Sequence, residues 1–333
     1  LKPVLYFIFR KKDPLFFSIE KVFSGLIRSL RSDFDTRVAS VPHYSSSVRN
    51  IAANIRAVRK YKAAVYHVTG DIHYAVFGLP GKRTILTIHD CVFLQQASGI
   101  KKKILQWLWL TGPVRHAKMI TTISEKSRRE IIEYTGCKPE KIVVIPNPVG
   151  EHIYHKAKEF NGACPVILFI GSTPNKNLDR VIKALQGIKC ILEIVGKISE
   201  QQVELLKALN IDHRISWQLS EAELAGKYAD CDIVLFPSTY EGFGLLITEA
   251  QKAGRPVITS DLSPMKEVAG EAACLVDPYA VDSIRSGVLR VIEDGPYRQE
   301  LVEKGSFNVR RFDLTTIKEQ YMDCYKKIIV CAE

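Results

Sequence analysis

Short β-rich apolar runs recur along the chain between longer helical stretches, and no other feature restricts the fold as much. In the first half they lie at Val4–Phe9, Val65–Val68, 84–89, Met119–Thr122 and 142–145. In the second they lie at Val166–Ile170, Ile191–Val195, Ile233–Phe236, Val257–Ser260 and 273–276. Strands alternating with helices predict parallel, doubly wound sheets. A strand covered by helices on both faces reads as an unbroken apolar run, and Val166-Ile-Leu-Phe-Ile170 is one. The 333 residues suit two domains of ordinary size. Ile145-Pro-Asn-Pro-Val-Gly150 and the polar segment up to Cys164 interrupt regular structure between the two series. The expected division is therefore 1–150 and 151–313, followed by a last helix from about 314 to 333 whose destination periodicity does not reveal.

Charge separates the two halves. Residues 1–150 carry 25 Lys and Arg against 10 Asp and Glu, a balance of +15, whereas residues 151–333 carry 22 against 26, or −4. A basic half points to an anionic partner, nucleic acid or the surface of an anionic membrane, although dispersed arginines serving solubility fit the first 60 residues as well. No nucleic-acid-binding module or aromatic–basic signature accompanies the charge, so nucleic acid is not expected as a partner. The eight cysteines form no C-x-x-C pair and no zinc-ligand spacing, which predicts free thiols in a reducing, cytosolic compartment. No stretch reaches the roughly 18 apolar residues of a spanning helix, and the opening residues 1–9 read as a first buried strand.

In doubly wound sheets ligands bind beyond the carboxyl ends of the strands. That rule selects three segments. Glu241-Gly-Phe-Gly-Leu-Leu-Ile-Thr-Glu249 follows a buried strand with a glycine turn and then a helix over about Leu245–Ala253. Gly242 and Gly244 let the backbone approach a ligand, and free N–H groups at a helix start suit a diphosphate or a sugar hydroxyl. Glu249 lies one turn beyond Leu245, so a carboxylate there can accept from a ribose diol while Glu241 addresses a sugar. On spacing alone, two solvated acids beside an ordinary turn account for the segment equally well. Gly171-Ser-Thr-Pro-Asn-Lys-Asn177 precedes another helix, with Asn177 in the position of an N-cap and Lys176 where a departing diphosphate needs a cation. Thr87-Ile-His-Asp90 ends a strand of the basic half; His89 can serve a sugar, but a histidine satisfied by backbone or by Asp90 is the commoner case.

In this order and with these residues the chain resembles glycosyltransferase family 4, the retaining group with the GT-B fold of two facing Rossmann-like domains. Glu241 to Glu249 resembles the family's E-x7-E motif, including the interior Gly-Phe-Gly. Phe169-Ile-Gly-Ser-Thr-Pro-Asn-Lys-Asn-Leu178, Ser124, Ile145-Pro-Asn-Pro148 and His89-Asp90 resemble further family landmarks, over roughly residues 65–280. The resemblance implies a donor site made of Gly171, Ser172, Lys176, Gly242, Phe243, Gly244, Leu245 and Glu249. Glu241, His89 and Lys176 are then the catalytic set. Glu241 would contact sugar hydroxyls, Glu249 the ribose, the 242–245 backbone the sugar and β-phosphate, Lys176 the leaving diphosphate, and His89 the sugar from the N-terminal domain. Two departures stand out. Many members carry an arginine soon after the glycine matching Gly171, where this chain has Ser172-Thr173-Pro174, and Phe16-Phe-Ser-Ile-Glu-Lys21 stands where many have a glycine-rich loop.

The resemblance further implies a UDP- or GDP-type nucleotide sugar as donor, no cofactor and no metal. It implies front-face attack by an acceptor hydroxyl without a covalent nucleophile, and a last helix packed back on the N-terminal domain. The expected acceptor is a glycan or lipid-linked glycan, in cell-surface polysaccharide assembly on the cytoplasmic side, with the protein peripheral to the membrane. Lys101-Lys-Lys-Ile-Leu-Gln-Trp-Leu-Trp-Leu110, continuing to Lys118, would meet an anionic membrane with Trp107 and Trp109 at the interface. A core helix with basic ends fits the same pattern slightly better. Two other functions remain open at this level: a nucleotide-sugar epimerase of the same fold, and a non-catalytic nucleotide-sugar-binding protein. A nicotinamide dehydrogenase is disfavoured, because no G-x-G-x-x-G follows a strand.

Overall fold

The structure, a computed structural model, describes residues 2–12, 18–94 and 98–331. Residues 16 and 17, part of the segment expected in place of a glycine-rich loop, lie outside the described residues. The chain divides into two compact units, Leu1–Pro148 with Leu314–Glu333, and Val149–Asp313.

The N-terminal unit holds a six-stranded sheet of β1 (Val4–Phe9), β2 (Asp35–Ser40), β3 (Val65–Val68), β4 (Thr84–Ile88), β5 (Met119–Thr122) and β6 (Ile142–Val144). Its order is β2-β1-β3-β4-β5-β6, parallel throughout. β3 and β4 are buried along their whole length, as unbroken apolar runs require. One face of the sheet packs Leu5, Phe7, Val65 and Ile85 against Phe23, Leu26 and the final helix, Leu314–Val330, through Ile317, Tyr321, Tyr325 and Ile328. His67 fastens that helix: its Nδ1 lies 2.8 Å from Tyr325 Oη and its Nε2 lies 2.7 Å from Thr87 Oγ1.

The C-terminal unit repeats the plan with β7 (Val166–Ile170), β8 (Ile191–Val195), β9 (His213–Ser216), β10 (Ile233–Phe236), β11 (Val257–Ser260) and β12 (Cys274–Val276). Its order is β12-β11-β10-β7-β8-β9, again all parallel. Two strands, β2 and β9, were absent from the apolar runs. Both are edge strands with half-exposed or exposed residues, Asp35, Arg37 and His213 among them, so no buried run marks them. In each sheet the strand order reverses at one place, between β1 and β3 in the first and between β7 and β10 in the second. Crevices of doubly wound folds open there.

Candidate active site

At the second reversal, the loop after β7 and the loop after β10 are stitched together. Asn175 Nδ2 donates to the carbonyl of Tyr240 at 2.8 Å, and Thr239 N donates to the carbonyl of Asn175 at 2.8 Å. Asn177 adopts left-handed backbone, φ 72°, and its side chain makes no cap bond to the helix it precedes. Its Nδ2 instead donates to the carbonyls of Pro237 at 3.0 Å and Pro278 at 2.7 Å. Asn177 thus holds the N-cap position expected of it, but its side chain does not cap: the amide ties three loops together, a task that local spacing does not disclose.

These stitches hold the predicted charges. Lys176 Nζ lies 2.7 Å from Glu241 Oε1 and 4.8 Å from the centre of the Phe236 ring, while Asn175 Nδ2 reaches Glu241 Oε1 at 3.3 Å. Gly171 lets the lysine lie back over the strand end, since a Cβ there would stand 2.6 Å from Lys176 Cγ. Ser172 is exposed in the same loop. Beyond Glu241, Phe243 is buried edge-on against Phe312, ring centres 5.6 Å apart, which pins the turn. Gly244, at φ 104°, then starts the helix Leu245–Ala253 in backbone that a side chain disfavours. The first N–H groups of that helix carry the positive end of its dipole, with half-buried Leu245 leading. Glu249, 9% exposed, faces inward, and its Oε2 accepts a 2.7 Å bond from Tyr228 Oη. Burial foremost, with the charge of Glu249, pushes the Tyr228 phenol well above its ordinary range, so Tyr228 stays a neutral donor. Neither Asn175 nor Tyr228 was picked out from the sequence; each acts across more than 20 residues of chain, beyond any motif window.

The first reversal opens a cavity of about 400 Å³ whose lining includes Arg10, Asp71, His89, Asp90, Phe93 and Trp109. Arg10 is clamped on both sides, by Glu20 with Nε–Oε1 and Nη2–Oε2 both 3.1 Å, and by Asp71. Trp109 Nε1 donates to the carbonyl of Asp71 at 2.8 Å and its ring stands edge-on to Tyr74. Trp109 is therefore a wall of this cavity, and the expectation that it lies at a membrane interface is corrected. His89 follows β4, and its Nε2–H donates to the carbonyl of Thr69 at 2.8 Å. The ring is satisfied by backbone at that nitrogen, and Asp90 Oδ1 accepts from Val92 N at 3.0 Å instead. Burial raises the Asp90 carboxyl above its usual range. His73 donates from Nδ1 to the carbonyl of Trp109 at 2.6 Å, and burial pushes it down to about 4. Ser124 caps the helix Glu125–Thr135 by accepting from Ser127 N at 3.1 Å, and Ser127 Oγ in turn holds the carbonyl of His89 at 2.9 Å.

The structure thus gathers Gly171, Lys176, Glu241 and the 242–245 turn around one switch point, and gives His89 to the other unit. Residues 18–189, just over half of the chain, match Glycosyltransferase Family 4. The chain belongs to that family. Residues 151–306 match Glycosyl transferases group 1. The glycosyltransferase is 27% identical over 293 residues to O-antigen chain mannosyltransferase B of Escherichia coli, a match covering 81% of this chain and 76% of that protein. Its fold is similar to that of sucrose-phosphate synthase from Thermosynechococcus elongatus, with a TM-score of 0.80 at 15% identity over 99% of this chain and 100% of that one. A TM-score of 0.77, also at 15% identity, relates it to Anabaena Alr3699/HepE in complex with UDP and glucose, over 98% and 100% of the two chains. The fold is GT-B.

Proposed function

We propose that this glycosyltransferase is a retaining enzyme that moves a hexosyl group from a nucleoside-diphosphate sugar to a hydroxyl of a glycan or lipid-linked glycan. The setting is cell-surface polysaccharide assembly at the cytoplasmic face of a membrane. The observation that carries the reading is the Lys176–Glu241 pair, 2.7 Å apart at the β7/β10 switch point beside the start of the Leu245–Ala253 helix. A leaving diphosphate needs positive potential fixed before the bond breaks. Lys176 supplies a full charge, and the helix N–H groups supply oriented donors. Glu241 steers the lysine and offers its carboxylate to sugar hydroxyls, and Glu249, fixed by Tyr228, takes the ribose. With no arginine in the 172–174 stretch, Lys176 carries the side-chain charge of that loop. No metal enters this reading.

The acceptor is assigned to the N-terminal cavity. Its volume suits a sugar ring, Trp109 and Phe93 give apolar faces, and Asp71 and Asp90 are carboxylates that can orient hydroxyls. His89, in the same lining, takes the sugar-contacting role that the family resemblance implies. For the donor, likeness to a mannosyltransferase supports a mannosyl group, and likeness to a complex of UDP and glucose supports a UDP-type sugar. A thermal-shift panel of UDP, GDP, ADP and their sugar conjugates decides between them. A ligand at about 100 times its Kd stabilises by about 2.7 kcal/mol. The expected result is selective stabilisation by one nucleotide series, much reduced in Glu249→Gln, which keeps an acceptor for Tyr228. No shift with any nucleotide, or an undiminished shift in the variant, overturns the reading.

A further inference from the structure

The C-terminal unit has a second pocket, at the opposite end of its sheet from Lys176 and Glu241. It holds about 250 Å³ and lies where β10 and β11 begin, for Asp232 directly precedes β10 and Arg255-Pro256 directly precedes β11. His155, Lys156, Lys158 and Arg298 line it too. The two lysines are already matched. Lys158 pairs with Asp232, which also accepts from Asn161 N at 3.1 Å and Val166 N at 2.8 Å, and Lys156 Nζ lies 2.8 Å from Asp230 Oδ1. The two arginines are not: neither makes an ion pair among the described residues. The surplus is local, because residues 151–333 have a balance of −4 and no general basic field covers this half.

Carbonyls hold each arginine by part of its fork. Arg255, 5% exposed, donates from Nε to the carbonyl of Tyr228 at 2.9 Å and from Nη2 to those of Ala229 and Lys156, both at 2.7 Å. Arg298 donates from Nη1 to the carbonyls of Val291 at 2.7 Å and Ile292 at 3.0 Å, and its guanidinium lies 3.6 Å from the centre of the Phe160 ring. These bonds close the ends of the helices Glu221–Asp230 and Val281–Glu293, a structural duty that suits a cation. They leave Arg255 Nη1 and Arg298 Nη2 with no acceptor among the described residues, and neither nitrogen is sealed from solvent. Burial lowers both guanidinium groups from the ordinary arginine value, and the acidic groups nearby, Cys231 and Asp232 for Arg255 and Asp294 and Asp232 for Arg298, do not restore it. A charge withdrawn from water without a counter-charge is costly, and an anion in the pocket removes that cost. The His155 ring packs so closely on Gly254 that a Cβ there would stand 2.7 Å from its Nε2, and the imidazole has no hydrogen-bond partner among the described residues.

We propose that this pocket binds a phosphate group, free or carried by a small metabolite, through the unused donors of Arg255 and Arg298 with His155 at its edge. Planar guanidinium forks match phosphate oxygens, and two of them in one small pocket favour phosphate over a lone carboxylate. Arg255 also ties the pocket to the acid assigned to the ribose. Its Nε holds the carbonyl of Tyr228, whose phenol donates to Glu249 at 2.7 Å, and its own N donates to the carbonyl of Ala250 at 2.9 Å. An anion that fixes Arg255 thereby steadies Glu249 and should tighten nucleotide binding about fivefold. That consequence rests on the ribose reading of Glu249. The anion site itself does not.

The test is calorimetric titration of the full chain with inorganic phosphate, pyrophosphate and glycerol phosphate at constant ionic strength. Saturable binding of at least one is expected, and the tightest of the three tells free phosphate from a diphosphate or a phosphomonoester. Arg298→Gln should weaken it about tenfold, the scale of one lost bond to a charged group, and Arg298→Lys, which keeps the charge but not the fork, should fall between. Lys176→Ala should leave it unchanged, which separates this pocket from the diphosphate site at the other end of the sheet. A readout on the wild type needs no variant to fold: modification of Arg298 by phenylglyoxal, followed by peptide mass spectrometry, should slow about tenfold at about ten times the Kd of phosphate. No binding of any of the three overturns the site, as does binding that Lys176→Ala abolishes or Arg298→Gln leaves undiminished, or modification of Arg298 that phosphate does not slow. Phosphate binding with unchanged nucleotide affinity upholds the site and overturns the coupling. If phosphate fails to bind while nucleotide still stabilises, the anion site falls and the transferase reading stands.

Discussion

At the C-terminal switch point the loops after β7 and β10 are bonded to each other, and what they present is a fixed charge pair, Lys176 and Glu241. At the N-terminal switch point the loops after β1 and β3 surround a cavity of about 400 Å³ with aromatic walls, and Arg10 there is engaged by Glu20 and Asp71. The same architectural position carries two different arrangements. One holds charges in place in advance, which suits stabilising an anion that forms during reaction; the other keeps volume open, which suits admitting a neutral ring. Local hydrogen bonding, and not the sheet, separates the two.

The sharpest way to break this contrast is to remove the fixed charge. Lys176→Ala should lower kcat by about 10²- to 10³-fold, the scale of losing one preorganised donor to a developing anion, while acceptor KM stays near its original value. Steady-state kinetics with each substrate varied in turn would show it. An effect on acceptor KM alone would mean that the charge pair serves the other site.

A second difference appears in acid. In the N-terminal unit burial pushes His67 down to about 3 from an ordinary 6.5, so the native state keeps it neutral between Tyr325 and Thr87. The unfolded chain takes up that proton as pH falls below about 6.5, so the stability is full above this value and is lost as pH drops toward 3. The loss is up to about 1.4 kcal/mol per pH unit. Urea titrations at pH 7 and pH 5 should show the midpoint falling, with a smaller fall in His67→Gln. An equal fall in both would place the acid lability elsewhere. The mildest effect is expected at the cavity wall: Trp109→Ala should raise acceptor KM about tenfold through loss of an aromatic face, leaving donor KM within about twofold. A change confined to the donor would reverse the assignment of the two sites.

The charge pair was far more legible in the sequence than the cavity. β7 and β10 are buried on both faces and so stand out as apolar runs, and the residues that follow them, Lys176 and Glu241, come at fixed offsets from those runs. The cavity draws Arg10, Asp71, His89 and Trp109 from four separate segments, brought together by the strand order β1-β3-β4, by the Arg10–Asp71 ion pair and by a tryptophan and a histidine bonded to distant carbonyls. No spacing along the chain encodes that meeting. Asn177 shows the same limit in small compass, since a good capping residue by type was diverted by two proline carbonyls 60 and 101 residues away. The edge strands β2 and β9 escaped notice because edge residues need not be apolar on both faces.

The final helix has a consequence for how the protein is made. Leu314–Val330 supplies Ile317, Tyr321 and Tyr325 to the core of a unit whose other residues precede position 149. On the ribosome the C-terminal unit is complete once Asp313 has emerged, whereas the N-terminal one must wait, with Phe7, Phe23 and His67 lacking their cover, until Leu314–Val330 has followed. The half of the chain translated first thus depends on a segment translated after the C-terminal unit, and a nascent chain that has not reached Leu314–Val330 leaves an aromatic face on that sheet uncovered.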